Sequence, residues 1–142
     1  MMRFERARRI RFSDCDPAGI VFYPQYFVMF NGLVEDWIND ELRISYHDLI
    51  VNRGVGVPTV RLEAEFKVVS RLGDPVQLSL GVERLGSRSL TLRLRCIGER
   101  GDDDMRMSLR QVIVTTSLKT HKSIEIPADL RDAVARFAGI TV

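Results

Sequence analysis

The stretch S-D-C-D-P-A-G-I-V-F-Y-P-Q-Y-F-V-M-F-N-G-L-V-E-D-W-I, Ser13 to Ile38, decides how the chain is read. Its second half is amphipathic at helical spacing. Tyr26, Phe30, Leu33, Val34, Trp37 and Ile38 recur on one face, and Gln25, Asn31, Glu35 and Asn39 lie off it. Pro24 suits the first helical turn, where its missing N–H costs nothing. The first half is a polar loop that sets Asp14 and Asp16 just ahead of the helix N-terminus. Backbone N–H groups there are unpaired and carry partial positive charge. A carboxylate and N–H donors around one cavity can attack a carbonyl and stabilise its oxyanion. The same residues also read as ordinary turn chemistry, with Asp16 a turn or capping residue.

On the N-terminal side, Phe4, Arg6, Arg8, Ile10 and Phe12 alternate, which predicts an arginine-rich strand over Arg3 to Phe12. Gly32, inside the predicted helix, costs about 1 kcal/mol against Ala, so it marks either a close backbone approach or simple tolerance. Tyr46 to Arg53 suggests a short helical turn. The period then becomes two. Val60, Leu62, Ala64, Phe66 and Val68 predict a half-buried strand with one apolar face. Gly73-Asp74-Pro75 is a turn, Val76 to Val82 alternates again, and Gly86-Ser87-Arg88-Ser89 is a hairpin connection to a strand over Leu90 to Cys96. After a polar loop, Glu99 to Asp104, a long strand runs over Met107 to Leu118. Its alternation blurs at Val112-Ile113-Val114, as a bulge or two-sided burial produces. Pro127-Ala128-Asp129 opens a final helix through Phe137. The order predicts an α+β domain with an antiparallel sheet, a single unit over residues 1–142.

Composition narrows the function classes. The content is 45% hydrophobic and 28% charged, that of a globular protein. A net charge of +2 is too balanced to make nucleic acid the main partner. No apolar run follows the basic N-terminus and none is long enough to span a bilayer, so neither a secretory signal nor a membrane is expected. Two cysteines make no disulfide framework, and a cytoplasmic location fits. His47 and His121 are isolated from metal-ligand spacing, so no metal is expected. No G-x-S-x-G, Walker loop or dinucleotide fingerprint occurs.

The run D-C-D-P-A-G-I-V-F-Y-P-Q-Y, Asp14 to Tyr26, resembles the signature of the 4-hydroxybenzoyl-CoA thioesterase family of hotdog-fold proteins. Element order and the G-V-P-T-V segment, Gly56 to Val60, resemble it more loosely. The resemblance implies the hotdog fold, a long central helix wrapped by a curved antiparallel sheet of about five strands. It implies hydrolysis of an acyl-CoA thioester, aromatic or short-to-medium, without metal or organic cofactor. Two alternatives stay open: a thioesterase for acyl carrier protein, and a non-catalytic acyl-CoA-binding protein on the same fold.

Residue by residue, the resemblance makes Asp16 the catalytic carboxylate, either a nucleophile passing through an anhydride or a general base for water. It puts the oxyanion donor on the Tyr23 backbone N–H. Asp14 is expected to be structural rather than a modulator of Asp16. Gly19 is either a point of close approach to substrate or a turn glycine. Phe22 and Tyr23 are placed to line an acyl pocket, Tyr26 lies on the apolar face beside them, and Phe30 belongs to the core. Asn31 stands where hydroxybenzoyl-specific members carry Asp, which argues against that specificity and leaves hydrolysis untouched. Val57, Pro58, Thr59 and Val60 match a segment contributed by a second subunit, so a homodimer or a homotetramer built as a dimer of dimers is expected. Arg88 reads either as a cation for CoA phosphate or as an exposed turn residue.

Overall fold

The period-two segments pair into a five-stranded antiparallel sheet in the order β1-β4-β5-β6-β3. Its strands are β1 (Phe4–Arg9), β3 (Thr59–Phe66), β4 (Pro75–Leu85), β5 (Ser89–Ile97) and β6 (Met105–Val114). A two-stranded sheet joins β2 (Val55–Gly56) to β7 (Thr116–Ser117). The structure is a computed structural model describing residues 2–140. Met1, Thr141 and Val142, which the single-domain expectation includes, lie outside them.

Helix α1 (Pro24–Asp36) runs straight into a π-helical turn, Trp37–Glu41, closed by the Leu42 N–H on Trp37 O at 2.9 Å. The expected apolar face is the one buried: Tyr26, Phe30, Leu33, Val34, Trp37 and Ile38 all join the core. A second short π turn, Asp48–Asn52, falls inside the predicted Tyr46 to Arg53 segment. Helix α2 (Ala128–Ala138) packs the Phe137 ring edge-on to Trp37, centroids 5.5 Å apart. Gly32 faces open space, so tolerance and not close approach explains it.

Cross-strand register shows how far the core reaches. One row runs Phe4, Leu80, Leu94, Leu109, Ala64 across the five strands. The first four are buried and Ala64 is exposed. The next row runs Arg6, Leu78, Cys96, Met107, Phe66, again with a buried middle. The expected half-burial of β3 is therefore wrong for the single chain. Every residue of β3 is exposed: it is an edge strand, and α1 reaches its inner face only at the margin, where Tyr26 meets Phe66. At the opposite edge the arginines of β1 finish the row. Arg6 bonds Asp40 at 3.1 Å and stacks on the Phe4 ring, and Arg8 bonds Asp14. That strand also stops sooner than predicted. Phe12 enters a 3₁₀ turn, Phe12–Asp14, and its ring is exposed.

The blur at Val112-Ile113-Val114 comes from Val112 and Val114, half-buried on the outer face; the bulge lies on the partner strand instead. Thr59 faces Ile113 and Arg61 faces Val112, so Val60 is the extra residue of a bulge in β3. β6 itself alternates strictly, with Met107, Leu109, Gln111 and Ile113 buried, and it ends at Val114 before β7 turns away.

Because β3 pairs with β6 and the chain must then reach β4, residues 67–74 cross the end of the sheet where β5 stops and β6 starts. This crossover lies directly against the Ser13–Pro24 loop.

The core assignment makes a measurable difference in stability. Leu94→Ala deletes a fully buried side chain and should cost about 2–5 kcal/mol. Val51→Ala, at a largely exposed position, should stay within about 0.5 kcal/mol. Urea unfolding midpoints compare them, and equal shifts would mean that the Leu94 row is not the core.

Candidate active site

The loop ahead of α1 is a small hairpin. Cys15 bridges Val21, the Asp16 N–H donates to Ile20 O at 3.0 Å, and the Gly19 N–H donates to Asp16 O at 3.0 Å. Pro17 takes the first corner and Gly19 closes the loop with a φ of 77°. Nothing lies within 4 Å of where a Gly19 side chain would start, so left-handed backbone geometry, not crowding, is what requires glycine. D-P-A-G thus has a complete explanation as turn chemistry. That explanation leaves the Asp16 carboxylate half-buried, with Oδ1 accepting the Ala18 N–H at 2.8 Å and Oδ2 without a partner among the described residues.

Asp14 is engaged quite differently. It is buried, and its oxygens accept Arg8 Nη2 at 2.9 Å and the Arg11 N–H at 2.8 Å. Its carbonyl accepts the Phe22 N–H at 2.9 Å. These contacts fix the base of the hairpin, and both carboxylate oxygens are committed to them. Cys15 lies between the two aspartates. Burial and then the charges of Asp14 and Asp16 push its thiol up, so it stays protonated near neutral pH.

At the start of α1 the backbone donors are few. Pro24 has none, the Gln25 N–H donates to Phe22 O at 2.8 Å, and the Tyr26 N–H donates to Tyr23 O at 3.2 Å. The Tyr23 N–H has no acceptor among the described residues. Tyr23 already has helical φ and ψ, −52° and −37°, so its N–H belongs to the positive end of α1.

Tyr23 and Phe22 are exposed and meet edge-on, and Tyr23 also meets Phe66 of β3, centroids 6.1 Å apart. Tyr26 is buried, with its hydroxyl on Ser70 Oγ at 2.9 Å. Tyr23, Tyr26, Phe66, Val68, Ser70 and Arg106 help line an open hollow of about 180 Å³. That is small for an acyl-CoA, whose class of ligand takes pockets of about 300–1,000 Å³. Phe66, Ser70 and Arg106 were not singled out in the sequence. Phe66 reads as strand, and the other two sit at a strand end and in a connection, where no periodicity marks them.

The remaining expected residues lie further along the molecule. Asn31 is exposed, in a shallow hollow with Phe27, Thr59, Leu62 and Gln111. Thr59 accepts Gln111 Nε2 at 2.7 Å. Val60 is exposed at the bulge. Val57 and Pro58 border an outer groove with Tyr46 and His121. The exposed Arg88 donates through Nη1 to Ser123 O and Oγ, 3.2 and 3.3 Å away. Within one chain, then, Asp16, Gly19, Phe22 and Tyr23 gather at the Phe66 end of β3, and Val57, Pro58 and Arg88 gather at its Thr59 end. Among the described residues, no cluster of His, Cys, Asp and Glu could hold a metal ion, and no helix is long and apolar enough to cross a membrane.

Behind the hairpin, the Val21 N–H donates to Ser70 O and the Leu72 N–H to Gly19 O, both at 2.9 Å. The crossover carrying Ser70 and Leu72 meets Arg106 of β6. Arg106 bonds Asp104 through Nε at 2.9 Å and Asp74 through Nη1 at 2.8 Å.

Comparison with known proteins adds four findings. The family model of the thioesterase-like superfamily matches residues 10–134. The chain is 26% identical over 127 residues to a 4-hydroxybenzoyl-CoA thioesterase of Pseudomonas sp., covering 86% of this chain and 90% of that protein. It is 22% identical over 124 residues to a 1,4-dihydroxy-2-naphthoyl-CoA hydrolase of Crocosphaera subtropica, covering 84% and 88%. Among solved structures, a gentisyl-coenzyme A thioesterase superimposes with a TM-score of 0.80 at 26% identity, over 90% of this chain and 99% of that one.

The Asp104–Arg106 pair makes a pH prediction. Hydrogen bonding from Arg106 pulls the Asp104 carboxyl down to about 2, against the opposing effect of burial and with help from Arg100. A carboxyl depressed on folding contributes stability that is complete above its ordinary value, about 3.9, and is lost as pH falls through the folded value. Asp104→Asn should therefore be less stable at pH 7 and lose less on acidification from about pH 4 to about pH 2. Urea midpoints across that range test it; parallel curves for the two proteins would show that the pair is not linked to folding.

Proposed function

The chain belongs to the thioesterase-like superfamily, and we propose that it is an acyl-CoA thioesterase that hydrolyses aromatic acyl-CoA thioesters to the free acid and CoA. The observation that carries this reading is a half-free carboxylate, Asp16, on the hairpin that leads into a helix N-terminus whose Tyr23 N–H has no acceptor among the described residues. The relatives named above act on hydroxybenzoyl, dihydroxynaphthoyl and gentisyl thioesters of CoA, all aromatic, which favours an aromatic acyl group over an alkyl one. Asn31 in place of an acidic residue favours recognition of the ring by a neutral hydrogen bond.

In this reading the thioester carbonyl oxygen accepts the Tyr23 N–H, and the positive end of α1 stabilises the charge that grows there. Asp16 either attacks the carbonyl carbon, giving an anhydride that water then opens, or removes a proton from the attacking water. Either way the C–S bond breaks. A thiol is acidic enough, with a pKa of about 8.5, to leave without a strong acid beside it. No metal or organic cofactor enters the scheme. A cytoplasmic location is part of the reading, supported by two cysteines that are both free.

The reading includes the hotdog arrangement in full, one domain over residues 1–142 with its helix enclosed by a curved sheet, and a homodimer as the working unit. Support for the dimer comes from β3. A long exposed edge with Leu62 and Phe66 on its inner side invites another strand. Antiparallel pairing of two β3 strands about a dyad sets the partner subunit's Thr59 opposite Phe66. The partner subunit's Val57, Pro58, Thr59 and Val60 then close the hollow beside Tyr23, together with Phe22, Tyr26 and Gly19 of the first chain. In this arrangement the partner subunit's Arg88 is the cation expected for CoA phosphate. Two such dimers can associate further as a homotetramer.

Asp16→Asn keeps the shape and removes the charge. Thiol release from a panel of aromatic and alkyl acyl-CoAs should fall by about 10²–10⁴ in kcat with the circular dichroism spectrum retained. A folded variant working at nearly the wild-type rate would remove Asp16 from the chemistry. Wild-type protein that binds acyl-CoA without releasing thiol would instead favour the non-catalytic alternative.

Leu62→Glu places a charge where two β3 strands would meet. Light scattering should show monomer, and thioesterase activity should fall with the loss of the partner's segment. A fully active monomer would contradict the shared site.

A further inference from the structure

Ser70 is completely buried and joins three parts of the molecule at one residue. Its carbonyl accepts the Val21 N–H of the hairpin at 2.9 Å. Its hydroxyl oxygen accepts Tyr26 Oη of α1 at 2.9 Å and Arg106 Nη1 of β6 at 3.3 Å. Arg106 does more than touch Ser70. Nε and Nη2 take both oxygens of Asp104, at 2.9 and 3.2 Å, and Nη1 also reaches Asp74 Oδ2 at 2.8 Å and Val69 O at 3.3 Å. Asp74 in turn accepts the Arg71 N–H at 2.8 Å, and Arg71 bridges Ile20 of the hairpin. The guanidinium side chain is only 12% exposed. Gly98 makes room for it, since an added Cβ there would overlap Asp104 Oδ2 and Arg106 Nη2.

We propose that Arg106 is a positioning residue for thioester hydrolysis: it fixes residues 69–74 to the end of the sheet, and that crossover holds the Asp16 hairpin in register with the first turn of α1. The inference rests on the reading that Asp16 and the Tyr23 N–H do the chemistry. Arg106 touches neither. Its effect passes through Val69, Ser70 and Asp74 to Val21 and Ile20, whose backbones pair with Cys15 and Asp16. The arrangement needs arginine in particular. A planar fork can grip Asp104 with two nitrogens while the third reaches the crossover, whereas a lysine ammonium is a single point of charge. A carboxylate displaced by about 1 Å from the carbonyl loses roughly 100-fold in rate, so a distant clamp can matter as much as a contact.

The test compares Arg106→Gln, Arg106→Lys and Asp74→Asn with Arg110→Gln, a control on the same strand that pairs with Glu83. Circular dichroism and light scattering check the fold and assembly, and Asp74→Asn stands in should Arg106→Gln fail to fold. In the folded variants kcat for the best aromatic acyl-CoA should drop roughly 10- to 100-fold with KM within about threefold. Lysine should restore part of the rate, and Arg110→Gln should leave it unchanged. Added to Asp16→Asn, Arg106→Gln should cause no further loss, because the carboxylate it positions is gone. Amide exchange across residues 15–22 should quicken. Unchanged kcat in a folded Asp74→Asn or Arg106→Gln protein overturns the proposal, and so does an equal loss in the Asp16→Asn background. Should the wild type cleave no acyl-CoA, the functional reading fails separately. Exchange then decides the anchoring alone, faster exchange supporting it and unchanged exchange overturning it.

Discussion

The position of β3 in the sheet sets the conditions for everything else. Because β3 pairs with β6 at the far edge, the chain has to cross the ends of two strands before β4 can begin. That crossing could have been a loose loop. It is instead anchored at two points in a largely exposed segment, with Ser70 fully enclosed and Asp74 held by Arg106. Two of the hairpin's backbone hydrogen bonds run to this crossover, from the Val21 N–H to Ser70 O and from the Leu72 N–H to Gly19 O. A carboxylate carried on a turn is only as well placed as the backbone beneath the turn, so the crossover converts sheet rigidity into precision at Asp16.

The same topology leaves β3 bare. Rows that are buried at Leu94 and Leu109 continue outward to Ala64, and the row through Met107 ends at Phe66, half open to solvent. An edge of this kind is a liability in isolation and an asset in an assembly. It also explains why the single chain offers only a small hollow beside Tyr23. The bare edge and the small hollow lie side by side, and in the proposed dimer a second copy of β3 covers both.

Much of this was legible in the sequence, for physical reasons that differ from place to place. The α1 face and the alternation of β4 and β5 were plain because burial of a periodic face is a local signal, and β6 was plain up to Gln111. The status of β3 was not, since alternation reports that one face is apolar and says nothing about what covers it. The reach of β1 was overestimated because Phe12 kept the alternation after Asp14 had already folded the backbone into a turn. At the site, residue types alone could not choose between a turn and a catalytic loop. The structure shows why: D-P-A-G is a well-formed turn, and the long motif resemblance, not the turn chemistry, singled out Asp16. Asp14 was expected to be structural, and its two partners, Arg8 and the Arg11 N–H, agree with that. Arg106 carried no signal, because an arginine near a strand end reads as a solvated charge until its partners on distant segments are known.

In the proposed mechanism the carbonyl of a bound thioester lies between the Asp16 carboxylate and the Tyr23 N–H. A crystal structure with a ketone analogue of an aromatic acyl-CoA, the sulfur replaced by methylene, tests it most directly. The carbonyl oxygen should lie within about 3.1 Å of the Tyr23 nitrogen. An Asp16 oxygen should lie about 3–3.5 Å from the carbonyl carbon, with the partner subunit's Thr59 at the pocket wall. A carbonyl bound away from the Tyr23 N–H, with Asp16 still turned only to Ala18, would contradict it.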